Sequence, residues 1–169
     1  DQYVTMATQF ELCGTILKKS GARRRLVKTL EQTVKDYAMS LGFDVVGITS
    51  AERFLRDELV SVNRIRDGLM DGLPWYTEER ARRANRPSGL LPGAKSIISL
   101  AMSYMSGEAR INGPEPHGSV GRYAWGDDYH PLIKTRLKEF VDRLSIHVGR
   151  SVKARIFVDD GPMNDRAAA

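Results

Sequence analysis

The segment that most restricts this chain is Ser96-Ile97-Ile98-Ser99-Leu100-Ala101-Met102. A short, nearly continuous apolar run of this kind suits a strand covered on both faces. Such a strand needs layers of other elements above and below it. The surrounding periodicity supplies them. Leu26, Leu30, Val34, Ala38 and Leu41 recur at helical spacing, and Gly42 follows as a stop. Residues 43–49, Phe-Asp-Val-Val-Gly-Ile-Thr, read as a strand. Ser50 is a good N-cap for a next helix whose stripe is Phe54, Leu59, Val62, Ile65 and Leu69. A polar, Arg-rich stretch from Trp75 to Arg86 leads into turn residues at 87–93, Pro-Ser-Gly-Leu-Leu-Pro-Gly. Residues 106–121 have a loop composition. Pro131 sits well in the first turn of a helix faced by Leu132, Ile133, Leu137, Phe140, Val141 and Leu144, and Val152–Val158 reads as the last strand.

Helix and strand alternate three times, which predicts an α/β domain with a mixed sheet flanked by helices. Residues 1–22 are expected to be a tail or short helix, and residues 23–169 one domain. The last residues, from Asn164, look like a helix just begun, so the chain is expected to be a fragment of something longer.

Composition narrows the chemistry. No apolar run approaches the roughly 20 residues a membrane helix needs, and the first residues lack a signal-peptide pattern. Cys13 is the only cysteine, so no disulfide framework exists. This fits a reducing, cytoplasmic setting, and one thiolate cannot hold an iron–sulfur cluster. The formal charge of +5 tolerates a polyanion such as RNA. The basic run from Lys18 to Arg25 is either a solvated helix start or a phosphate-contacting patch. His117, His130 and His147 lack metal-ligand spacing, and no metal site is expected. The common phosphate-binding glycine signatures are absent.

Two stretches stand out. Residues 121–130, Gly-Arg-Tyr-Ala-Trp-Gly-Asp-Asp-Tyr-His, combine aromatic faces for a large planar ligand with glycines that allow close backbone approach. The alternative is a turn with aromatic plugs into the core. Residues 157–162, Phe-Val-Asp-Asp-Gly-Pro, put an acidic pair at the end of a parallel-type strand, where ligand crevices of α/β sheets lie. A partly desolvated carboxyl there has a raised pKa and can donate a proton. The alternative is that one aspartate caps the following helix and the other is solvated.

Taken with Leu90-Leu91-Pro92-Gly93-Ala94-Lys95-Ser96-Ile97-Ile98, these stretches resemble, in order and spacing, the epoxyqueuosine reductase family. Arg122 to His130 matches its Arg-Tyr-Ala…Asp-Tyr-His segment, and Val158 to Pro162 with Asp165-Arg166 matches its Val-Asp-x-Gly-Pro segment. Leu41 to Ile48 looks like its opening strand. The resemblance covers about residues 30–169. It implies a cobalamin-dependent reductase that removes the epoxide oxygen of epoxyqueuosine at the wobble position of tRNA. It also implies a base-off corrinoid domain similar to that of reductive dehalogenases, and a C-terminal part, missing here, whose two four-iron clusters feed electrons to cobalt. The implied proton donor is Asp159. The implied corrinoid residues are Arg122, Tyr123, Tyr129 and His130, with Arg83 and Arg166 meeting corrinoid amides or anionic groups. Asp160 replaces the family's usual Thr or Ser, where it would raise the pKa of Asp159 or point to solvent. Trp75 to Arg80 departs from the family's His-Gly-x-Met-x-Tyr pattern. Two other readings stand beside this one: a corrinoid iron–sulfur reductase acting on a small molecule, and a non-catalytic corrinoid-binding module.

Overall fold

The structure is a computed structural model. It describes residues 2–8, 28–105, 118 and 120–169, with the backbone alone for 2–8. The basic run, Cys13, Leu26, His117 and most of the expected loop lie outside these residues.

The apolar run forms β3 (Ser96–Met102), whose first six residues are all buried. It is an inner strand of a sheet ordered β2–β3–β1–β4, with β1 at Gln2–Thr8, β2 at Val45–Ser50 and β4 at Ala154–Phe157. The α/β class holds, but the expected mixed sheet is corrected. All three pairings are antiparallel: Val45 faces Ala101, Gln2 faces Met102, and Thr5 faces Phe157. The cause is β1. β3 and β4 run the same way, as helix–strand alternation implies, but β1 lies between them and opposes both. Residues 2–8 are therefore no tail or short helix, and β4 is no parallel-paired strand. β1 carries β-forming residues (Tyr3, Val4, Thr5), but its partners lie far along the chain, Gln2 facing Met102 and Thr8 facing Ser96, where local patterning does not reach.

Helices cover both faces. Alternation along β3 sends Ile98 and Leu100 to one side and Ile97 to the other. Ile98 and Leu100 meet Val34 and Ala38 of α1 (Leu30–Ser40) and Ile133, Leu137, Phe140 and Leu144 of α5 (Tyr129–Val148). Ile97 joins Phe157, Met163, Leu90 of the short α4 (Pro87–Leu90) and Ala168 of α6 (Asp165–Ala168). Fully burying side chains of this size stabilises by about 1.5–3 kcal/mol each. The helix ends follow local chemistry. Thr29 Oγ1 accepts from Gln32 N (3.1 Å) at the start of α1, and Gly42, at φ +84°, takes the left-handed turn after it.

The next helix, α2 (Leu55–Arg66), begins later than the sequence implies. Ser50 is the last residue of β2, paired with Ser96, and caps nothing. The stripe also differs: Leu59 and Leu69 are exposed, while Glu58 and Val62 are buried. The Arg-rich stretch contains a further helix, α3 (Glu78–Ala84), capped by Thr77 and seated on Ala81 and Ala84. Glu58 explains the departure. Arg53 grips its carboxylate at 2.6 and 2.7 Å, Arg86 at 3.0 and 3.3 Å, and Arg82 lies at 3.7 Å. This cluster ties α2 to α3 and α4. A carboxylate can be buried here because cations meet both of its oxygens.

Those guanidiniums hold the Glu58 carboxyl down at about 2, the Arg53 hydrogen bond being the largest cause. A depressed pKa stabilises the fold above the unfolded value, and that stability is lost as pH falls toward the folded value. Acid denaturation should therefore steepen between about pH 4.5 and about pH 2. Glu58→Gln should flatten that limb and cost about 1–3 kcal/mol at neutral pH, less than a fully buried pair because the arginines are half exposed. Urea unfolding of both proteins across this range checks it; parallel pH curves would contradict the assignment.

Candidate active site

β4 ends at Phe157, and the chain turns sharply through residues 158–162 before α6. Asp159 lies in this turn at φ +53°, the left-handed region that a non-glycine residue seldom occupies. Strained backbone of this kind persists only where neighbours over-determine it. Gly161 is one such neighbour: a Cβ there would lie 2.0 Å from the Phe157 ring. Asp160 is another. It accepts from its own turn at Val158 N (3.0 Å) and from Lys134 Nζ on α5 (2.5 Å). These two bonds hold its carboxyl below the usual range, the Lys134 bond contributing most. Asp160 is thus spent on shaping the turn, and neither aspartate caps α6, whose N-cap is Asn164.

Asp159 is exposed, and its carboxylate accepts a hydrogen bond from the Tyr129 hydroxyl at 2.7 Å. Burial, and then this bond, push the Tyr129 phenol up to about 12, so it stays protonated and donating at neutral pH. Tyr129 opens α5 immediately after its N-cap, Asp128. Asp128 Oδ1 accepts from His130 N (2.9 Å) and lies 2.6 Å from His130 Nδ1, and these contacts lower its pKa. A carboxylate only accepts, so the proton sits on Nδ1. The His130 ring stacks on Tyr129 with centroids 4.2 Å apart. One bond therefore joins the two stretches singled out in the sequence.

The rest of the aromatic stretch forms a short 3₁₀ turn at Arg122–Ala124. Tyr123 and Trp125 are 56% and 44% exposed, so they present ring surface rather than plugging the core. Tyr123 meets Tyr104 edge-on at 6.4 Å, and the Arg122 guanidinium lies over Trp125 at 5.4 Å. The Trp125 indole N–H donates to Val120 O (2.9 Å), fixing the ring. At Gly121 a Cβ would come within 2.7 Å of the Tyr123 ring, a close approach that needs glycine. Flat exposed rings beside a cation and a close-lying backbone suit a broad planar ligand edged with hydrogen-bonding groups.

Arg83 and Arg166 stand apart from this group. Arg166 is exposed on α6. Arg83 lines a cleft of about 220 Å³ with Trp75, Thr77, Glu79, Arg80 and Pro162. Among the described residues no group of His, Cys, Asp or Glu is arranged to hold a metal ion, and no helix is long and apolar enough to cross a membrane. The sequence did not reveal Lys134 as the partner of Asp160. Nor did it reveal the pair Asn85–Asn164, whose side chains bond at 2.9 Å and join α3 to the cap of α6. No local pattern marks contacts of such separation.

Residues 83–160 match the family model described as "Epoxyqueuosine reductase QueG, DUF1730". The epoxyqueuosine reductase of Pseudomonas aeruginosa is 35% identical over 144 residues, covering 83% of this chain and 39% of that protein. That of Bacillus subtilis is 33% identical over 149 residues, covering 85% and 37%. A crystal structure of selenomethionine-labelled epoxyqueuosine reductase superposes with a TM-score of 0.68 at 30% identity, over 83% of this chain and 37% of the other. Another, with an epoxyqueuosine-modified tRNA-Tyr stem loop, gives 0.64 at 29% identity over the same shares. A third, from Bacillus subtilis, has an aspartate-bearing catalytic loop swung out of its active site, and gives 0.61 at 28% over the same shares. The chain spans about two-fifths of the length of these relatives. Sequence similarity, fold and the order of the motifs agree, and the chain belongs to the epoxyqueuosine reductase family.

Proposed function

We propose that this chain forms the corrinoid-facing, proton-donating part of a cytoplasmic enzyme that reduces epoxyqueuosine to queuosine in tRNA. The observation that carries the reading is the 2.7 Å bond from Tyr129 to the exposed, strained Asp159, which puts an acid beside a platform of exposed aromatic rings. The related structure with a tRNA stem loop supports the substrate. The related structure with an aspartate catalytic loop supports the role of the turn.

Loss of an epoxide oxygen as water consumes two electrons and two protons. Base-off cobalamin, when bound, would supply the reducing electrons. Arg122, Tyr123, Tyr129 and His130 would hold it, with Arg83 and Arg166 meeting anionic groups of cofactor or substrate. Asp159, when protonated, delivers one of the two protons to the departing oxygen, the other coming from solvent, and Tyr129 sets the direction of the carboxyl. Because Tyr129 remains a donor at neutral pH, it also steadies the carboxylate left behind. Four-iron clusters would require cysteines from outside this chain, which has one.

Titration with cobalamin should give a saturable shift to a base-off visible spectrum, lost when Tyr129 and His130 are both changed to Ala. No shift with wild type, or an equal shift with the variant, would count against the corrinoid assignment. Asp159→Asn keeps an acceptor for Tyr129 but removes the acid. In the intact enzyme it should lower turnover about 10²–10⁴-fold with cobalamin binding unchanged. Undiminished turnover would favour a non-catalytic module, and turnover of a small molecule without RNA would favour the dehalogenase-like reading.

A further inference from the structure

The arginines around α3 divide into two sets. Arg82 and Arg86, four residues apart, turn to the carboxylates of Glu78 and Glu58, and Arg53 and Arg66 reach the same two acids from the α2 side. Arg80 and Arg83, three apart, share another face of the helix. Neither is ion-paired among the described residues, and both are exposed. They line the cleft of about 220 Å³ together with Pro162, three residues from Asp159. Arg80 lies over the Trp75 ring at 4.8 Å, and Tyr76 braces the same ring edge-on at 5.5 Å. Trp75 stays 55% exposed, so apolar ring surface remains open beside these two neighbours.

The cleft is smaller than pockets for drug-sized ligands, which run to about 300–1,000 Å³. A single base or phosphate group suits it; a macrocycle does not. Two arginines against the single carboxylate of Glu79 leave the rim positive. Cations beside an immobilised exposed aromatic ring are the combination that binds single-stranded nucleic acid: the ring takes a base face, the guanidiniums take backbone phosphate. We propose that this cleft binds the unpaired RNA strand next to the reacting nucleotide, with Trp75 stacking on a neighbouring base and Arg80 and Arg83 holding its phosphates. The inference rests on RNA being the substrate and adds where the strand enters: between α3 and the turn that carries Asp159. It also gives a use to the segment in which the chain leaves its family's pattern.

The test is binding of a fluorescent RNA stem loop with an unpaired loop to the full chain, by anisotropy over a range of salt. Trp75→Ala should weaken binding about 10-fold or more, and Trp75→Tyr should restore most of it. A loop carrying one abasic nucleotide should reproduce the loss, with no further loss on it from Trp75→Ala. Arg80→Ala with Arg83→Ala should flatten the dependence of log affinity on log salt by about 1.4, about 0.7 for each single-strand phosphate contact. Arg56→Ala with Arg64→Ala, exposed on α2, should change it little, and circular dichroism should show all variants folded. If wild type binds RNA and the Trp75 and arginine variants bind it equally with the same salt slope, the cleft assignment is overturned while the RNA reading stands. If wild type binds no RNA at any salt, both fall.

Discussion

Burial of β3 on both faces is the constraint on which the rest of the molecule depends. Ile98 and Leu100 need α1 and α5 above them, and Ile97 needs α4 and α6 below. Meeting both demands forces the chain to cross from one side of the sheet to the other. One crossing is the short run from the end of β4 into α6, and the turn that makes it carries Asp159. Asp159 thus sits where the layer architecture compels a sharp reversal. A backbone there can be held in a left-handed conformation because α5 on one face and α6 on the other leave it little freedom.

Electrostatics refine that position. Of the two adjacent aspartates, Asp160 is consumed by Lys134 and by its own turn, and Asp159 is left facing out on the Tyr129 hydroxyl. The division of labour resembles that among the arginines of α3, some bound to structural acids and some left at a surface. In both places a charged pair or run that looks uniform in sequence is separated by tertiary contacts into groups that hold the fold and groups available to a ligand. The cost of burying Glu58 is met by three guanidiniums, which at the same time seat α2 and α3 beside the site.

Much of the fold was legible. The apolar run of β3, the stripe of α1, Gly42 as its stop, and the long α5 with Pro131 in its first turn were all visible as local patterns. The Asp128-Tyr129-His130 and Asp159-Asp160-Gly161 stretches were also marked, through residue type and through resemblance to a family. β1 was missed because a central strand is defined by partners far along the chain. α2 was misplaced because a good capping residue, Ser50, was drawn into the sheet by pairing with Ser96. The helix in the Arg-rich stretch went unread because its apolar side is only Ala81 and Ala84.

What the sequence determined alone is the alternation of helix and strand, the aromatic and acidic stretches, and the family. These rest on periodicity and on short runs of residues, which are local properties of a chain. What the tertiary structure decided is that every strand pairing among the described residues is antiparallel, that Tyr129 meets Asp159 across 30 positions, and that Lys134 rather than solvent takes Asp160. Those outcomes depend on how layers close around β3, and hydrogen bonds between distant residues form only once that closure has brought them within about 3 Å.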